Sequence, residues 1–312
     1  MRPIWAGPLA GILALGLATA SQAEVRPSDI NRPVGEDGLG PGYGGNQTQW
    51  ALELVGFFGT GTSAAGRDVD RVSLAPTLRV ATPERRNDVE VVWALLSHRQ
   101  TETDLDLTRQ DLFVSNVHVG YHWAWRSLAR QLRFGLSLTL PAARLPTDSA
   151  DAIRLALDAY ATQAAMRGWR ELWLWTPETL TVAGHFDLYS RQASGLIFGG
   201  QIIAGAMQRT SDSPVIEEQN VVVQADLDLA FDVAHGRYLL RAGVVALPIT
   251  EADDKLQASI EPEARFRLGP VDLVTRLTVP VNKPAGFAFS EGGFWAATIG
   301  IANATSQVLP EE

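Results

Sequence analysis

The sequence contains no cysteine, which removes disulfide frameworks, thiol nucleophiles and thiolate metal ligands together. After residue 23 it also lacks any unbroken apolar stretch near the roughly twenty residues that a spanning helix requires. Positive charge is scarce, with 26 Lys and Arg against 35 Asp and Glu. This opposes a nucleic-acid partner, which needs basic surface. The histidines, His98, His118, His122, His185 and His235, form no catalytic triad or metal motif. His118 and His122 share one strand face but stand roughly 13 Å apart along an extended chain, too far to chelate one ion unaided. No catalytic residue, cofactor or metal site is therefore assigned, although the pair Asp226 and Asp228 is of a type that acid–base chemistry uses.

What is present begins with Arg2, a short apolar run, and the small residues Ser21 and Ala23 flanking Gln22. Residues 1–23 read as an export signal cleaved after Ala23. Residues 24–46 are rich in Gly, Pro and charge and are expected to form a flexible lead-in. The glycines of 38–45 are not a phosphate loop, because no strand precedes them and no Lys-Ser/Thr follows.

From Trp50 onward the dominant period is two. Leu132, Phe134, Leu136, Leu138 and Leu140 alternate with Arg133, Gly135, Ser137 and Thr139. Val223, Ala225, Leu227, Leu229 and Phe231 alternate with Gln224, Asp226, Asp228, Ala230 and Asp232, and residues 256–268 repeat the pattern. Alternation marks strands with one greasy and one wet face. Runs of about ten or more residues exceed the usual soluble strand and match a tilted strand crossing a bilayer. Twelve such runs are expected, near 48–58, 71–81, 88–98, 112–124, 131–141, 179–190, 195–207, 221–233, 237–247, 256–268, 271–281 and 293–303. Those at 88–98, 195–207 and 293–303 alternate poorly.

The connections sort by parity. Those at 83–87, 126–130, 191–194, 235–236 and 269–270 are short, whereas 60–70, 99–111, 142–178, 208–220, 248–255 and 282–292 are longer. Outer-membrane barrels alternate short periplasmic turns with long outer loops in this way. Trp50, Trp123, Trp125, Trp175, Phe231, Tyr238 and Trp295 fall near run ends, as an interfacial girdle requires.

One stretch breaks the period. Residues 148–168 carry Ile153, Leu157, Tyr160 and Ala164 at helical spacing, with Asp148 or Ser149 as N-cap and Gly168 as the stop. This predicts a helix within the longest loop, either folded into the lumen, the favoured placement, or resting on the outer rim. The inward face assigned by alternation carries Glu53, Arg79, Glu90, Arg133, His185, Asp187, Asp226, Asp228, Asp232, Arg241, Glu261, Glu263, Arg265, Arg267, Asp272 and Arg276. These are the candidate lumen-lining residues, since charges facing hydrocarbon would cost several kcal/mol each. A two-residue turn at Gly269-Pro270 would pair Arg267 with Asp272 and Glu263 with Arg276. On this reading Asp228→Asn should be structurally tolerated.

The signal, the twelve alternating runs and the loop parity resemble the broad class of bacterial outer-membrane porin-like β-barrels, over nearly all of the mature chain. The final run departs from the class, because residues 302–312 follow it in place of a terminal aromatic. The resemblance implies an antiparallel up-and-down barrel over residues 47–304, a tail at 305–312, outer-membrane lipid as surroundings and passage of small solutes without enzymatic activity. Two other readings are a non-conducting barrel that binds a partner and a soluble periplasmic β protein.

Overall fold

The computed structural model describes residues 49–62, 68–83, 87–102, 107–126, 130–192, 195–212, 216–233, 236–250, 255–268, 271–282 and 295–303. The expected signal peptide, lead-in segment and C-terminal tail lie outside the described residues. In chain order the elements are β1 (Gln49–Thr62), β2 (Asp68–Pro83), β3 (Asn87–Glu102), β4 (Leu107–Val114), β5 (Val117–Arg126) and β6 (Arg130–Leu140). The helices α1 (Ala150–Met166) and α2 (Leu172–Trp175) follow, then β7 (Thr179–Arg191), β8 (Leu196–Arg209), β9 (Gln219–Val233), β10 (Gly236–Ala246), β11 (Leu256–Leu268), β12 (Val271–Pro280) and β13 (Ala296–Asn303).

Neighbouring strands pair antiparallel, and β1 pairs with β13 to close the sheet. Closure matters because it leaves no sheet edge in the spanning wall and satisfies the backbone without water. The thirteen segments make a barrel of twelve staves, since β4 and β5 are successive lengths of one stave beside β3. The break between them corrects the single run expected at 112–124. Leu95 pairs with Val114 and Val92 with His118, so three steps along β3 match four along the opposing chain. One extra residue is a β-bulge, and it exchanges the two faces of the stave. Phe113 therefore points inward from β4 while the even-numbered His118 and His122 point inward from β5. Ser115 stabilises the bulge, its Oγ accepting from Ala94 N at 2.9 Å and donating to Asn116 O at 2.8 Å.

The expected long connection at 99–111 is also corrected, because β3 and β4 run on and leave only 103–106 between them. Arg99, Gln110 and Asp111 are exposed there, and both faces of a strand in water are polar, so the alternation vanishes. The large connections at that end of the barrel are 141–178, 210–218, 247–255 and 281–295. At the opposite end, β9 reaches Val233 and β10 starts at Gly236, and Glu263 pairs with Arg276 and Arg267 with Asp272.

The outer surface is apolar, with Leu54, Leu136, Ile202, Leu229 and Ile299 all exposed. Trp50, Trp123, Trp125, Phe231 and Tyr238 lie on it near the short-turn end, where Trp125 stacks on Phe134 at 5.1 Å and Phe231 on Tyr238 at 5.2 Å. Trp175 does not belong to this girdle. It is 1% exposed and sits on α2 inside the barrel. Among the described residues no helix is long and apolar enough to cross a membrane, which leaves crossing by strands untouched.

Leu227 is 72% exposed on the outer face between inward Asp226 and Asp228. A cysteine introduced at Leu227, in a chain with none of its own, should be quenched by a lipid-borne probe. Leu227→Arg should cost roughly 2–4 kcal/mol at mid-bilayer and impair assembly. Absence of lipid contact at this position in the reconstituted protein would overturn the membrane-facing assignment.

Candidate functional site: a lumen crossed by a folded loop

The loop between β6 and β7 does not rest on the rim. Ser149 caps α1, its Oγ accepting from Ala152 N at 3.1 Å, and the helix descends inside the wall along β2. Its contacts record the descent: Arg71 to Asp158 at 2.8 Å, Gln163 to Ser73 at 2.8 Å, then Arg167 to Thr77 at 2.7 Å. These β2 partners are alternate inward positions, so each step moves deeper.

At Gly168 the chain turns across the lumen. Gly168, Trp169 and Glu171 have φ of 59°, 64° and 54°, the left-handed region that costs non-glycine residues about 1–3 kcal/mol each. Gly168 is pressed against β11, where a Cβ would fall 2.6 Å from Ser259 Oγ. Arg170 reaches Glu261 at 2.8 Å and Asp226 at 3.3 Å. Glu171 pairs with Arg79 on β2, and its backbone N–H donates to Gln224 Oε1 at 3.0 Å. A single turn thus touches β2, β9 and β11 and bridges the interior. Burial pushes the Glu171 carboxyl up, but Arg79 and Arg167 more than offset this and hold it at about 2, so the bridge is ionic at neutral pH.

The sequence-derived inward residues fall into connected networks. Arg133 NH1 lies 3.1 Å from Asp187, its NH2 3.3 Å from Glu90 and its Nε 3.1 Å from Asp88. Arg79 joins the same network through Glu90 and links it to the loop through Glu171. Arg276 bridges Glu263 at 2.8 Å and Glu53 at 3.2 Å, and Arg265 adds a second contact to Glu263 at 2.8 Å. Arg267 and Asp272 are 3.8 Å apart, an ion pair too long for a hydrogen bond. Asp232 stands opposite Arg237 in the register, and its side chain lies outside the described residues.

Asp228 corrects an expectation. Its carboxylate accepts from Arg241 at 2.6 and 2.9 Å and from Tyr189 OH at 3.0 Å. Replacing it by Asn would leave a buried guanidinium short of its counter-charge, which costs roughly 3–5 kcal/mol. Tolerance is not expected.

His185 joins His118 and His122 on adjacent inward faces, with ring centroids 6.0 and 5.0 Å from its own. The His122 ring lies over Gly120 and Gly135, where a Cβ would come within 2.6 and 2.5 Å of it. Its Nδ1 is 2.7 Å from Arg133 NH2. Because Arg only donates, that nitrogen is the acceptor, and the ring proton sits on Nε2. His118 Nδ1 and His185 Nε2 meet Thr139 and Ser137 at 2.9 and 2.6 Å. Among the described residues no group of His, Asp or Glu is arranged to hold a metal ion.

The sequence reading placed the helix and missed its anchors. Arg167, Arg170 and Glu171 carry the crossing, and Asn116 and Glu178 hold its base. The available signal was the segment 167–175, in which three charges sit among five Trp and Leu side chains and a glycine inside the longest loop.

No family model matches the chain, and no curated protein matches its sequence. Solved structures do match its fold. An outer membrane channel from Pseudomonas putida F1 superposes with a TM-score of 0.54 at 13% identity, covering 90% of this chain and 99% of that one. The translocator domain of the autotransporter NalP from Neisseria meningitidis gives 0.44 at 11%, covering 95% of each chain. The P. putida toluene transporter TodX gives 0.43 at 9%, covering 83% of this chain and 90% of that one. The chain has the fold of the porin-like outer-membrane β-barrels: a closed twelve-stave antiparallel cylinder, here with a loop folded through it.

The crowding at Gly168 makes a testable point. Gly168→Ala adds left-handed strain and a clash with Ser259, about 1–2 kcal/mol in all. Trypsin should then cut after Arg167 and Arg170, which burial should protect in the wild type. Equal protection in the two proteins would show that the turn is not seated as described.

Proposed function

We propose that the protein sits in the outer membrane and passes small solutes through its lumen, with the loop 141–178 as the gate. The short turns then face the periplasm and the long loops face outward. The observation that carries this reading is the polar fastening of the crossing turn: Arg170 and Glu171 hold it to Asp226, Glu261, Arg79 and Gln224 through ions and amides. Buried ion pairs are commonly no more stabilising than apolar residues of equal volume. A barrel sealed for good would be served as well by an apolar filling, whereas groups that exchange their partners for water suit a lumen that hydrates. Paired charges of both signs line the path, so the reading assigns no strong preference for anions or cations. Its chemistry is passage and not bond-making.

Purified protein in a planar bilayer should show discrete conductance steps, rare in the wild type. Deleting residues 148–167 should make them frequent and larger. A deletion variant that inserts correctly yet stays silent would instead favour a closed barrel that presents its outer loops to a partner.

A further inference from the structure

The loop is fastened in two different ways. At its base the ties are made to backbone groups. Asn116, fully buried at the bulge, donates from its backbone N–H to Leu174 O at 2.9 Å. Its Nδ2 donates to Trp173 O at 2.8 Å and Thr176 O at 2.7 Å, and its Oδ1 accepts from Ala143 N at 2.9 Å. One amide therefore staples the strand that enters the loop to the helix that leaves it. Glu178 completes the base, its N–H donating to Ala143 O at 2.9 Å and its carboxylate accepting from Leu145 N at 3.3 Å and from Ser211 Oγ. Its carbonyl accepts from Thr210 N and Oγ1, both at 2.8 Å.

Along α1 the polar ties run mostly between side chains: Arg109 to Asp151, Arg71 and His98 to Asp158, Gln163 to Ser73, and Arg167 to Thr77. Tyr160 adds one bond to Val114 O at 3.0 Å. The outermost of these pairs is exposed, and exposed ion pairs contribute little. The helix is flanked by the exposed residues 147–149 on one side and by the left-handed turn at Gly168, Trp169 and Glu171 on the other. That turn continues the helix through Gly168 N to Ala165 O at 2.9 Å and Trp169 N to Ala164 O at 2.8 Å, so it can travel with α1, and its wall contacts through Arg170 and Glu171 are what hold it across the lumen.

We infer that Asn116 is the positioning residue of the gate: it fixes both roots of the loop to the wall, so that opening is a swing of α1 and the crossing turn about a stationary base. The inference rests on the gated-channel reading, and it is tested without conductance. In hydrogen–deuterium exchange of the full chain in lipid nanodiscs, amides of α1 should exchange about tenfold or more faster than those of Asn116, Ala143, Thr176 and Glu178, whose rates should match the strands. Base amides exchanging in step with α1 would mean that the loop moves as one body. An α1 as protected as the wall would mean that nothing swings. Either result overturns the inference.

Asn116→Ala should raise exchange at Ala143, Thr176 and Glu178 to the rate of α1 and leave the strands β12 and β13 unchanged. Unaltered base protection in that variant would remove Asn116 from the role. If the variant fails to assemble, the wild-type profile still decides. The expected profile together with electrically silent bilayers would count against the channel and leave the hinge standing.

Discussion

The constraint on which the rest of this structure depends is that a cylinder facing hydrocarbon can carry charge only on its inside, where each charge must then be answered. Arg133 answers three carboxylates, Arg276 two, and Arg241 one in a two-pronged grip. These networks join neighbouring staves above the level of the backbone ladder, so the wall is braced twice. The same chemistry extends to the loop, since Arg79 holds Glu90 of the wall and Glu171 of the crossing turn. Wall and loop are one electrostatic system.

The inserted helix also reshapes the wall that receives it. Ala75, Val92, Ala94, Leu96, Ile203 and Met207 point inward and are apolar, and they share one buried cluster with Leu155, Ala156, Ala159 and Tyr160 of α1 and Trp173, Leu174 and Trp175 of α2. A lumen filled only with water would place polar groups there. The β-bulge at Ser115 and Asn116 belongs to the same arrangement, because it turns an amide toward the base of the loop at the height where the loop enters and leaves. Bulges are favoured where a strand must redirect a side chain.

The chemistry of the interior bears on what such a barrel can do. The three clustered imidazoles are engaged with Ser137, Thr139 and Arg133, and Asp226 is engaged with Arg170, Gln201 and Gln224. Groups committed to neighbours in this way tie adjacent staves of the wall together.

How much was legible in the sequence depended on whether a signal is local. Alternation is local: a strand with hydrocarbon on one side and polar groups on the other must repeat every two residues, so the inward set from Glu53 to Arg276 and the pairing of Glu263 with Arg276 could be read residue by residue. The helix was legible for the same reason, with its cap narrowed to Asp148 or Ser149, and the structure decides for Ser149. The weak alternation at 88–98 and 195–207 reflected a partner that no local window contains, because Leu96 and Ile203 belong to the apolar cluster that the wall shares with the inserted loop. Trp175 was misplaced among the interfacial aromatics, since a tryptophan near a strand end looks alike whether it meets lipid or the inside of a folded loop. The bulge, the roles of Asn116 and Glu178, and the pairing of Arg170 with Glu261 were decided only by the tertiary structure. Those contacts join residues far apart in the chain, and their geometry exists only once the cylinder has closed around the loop.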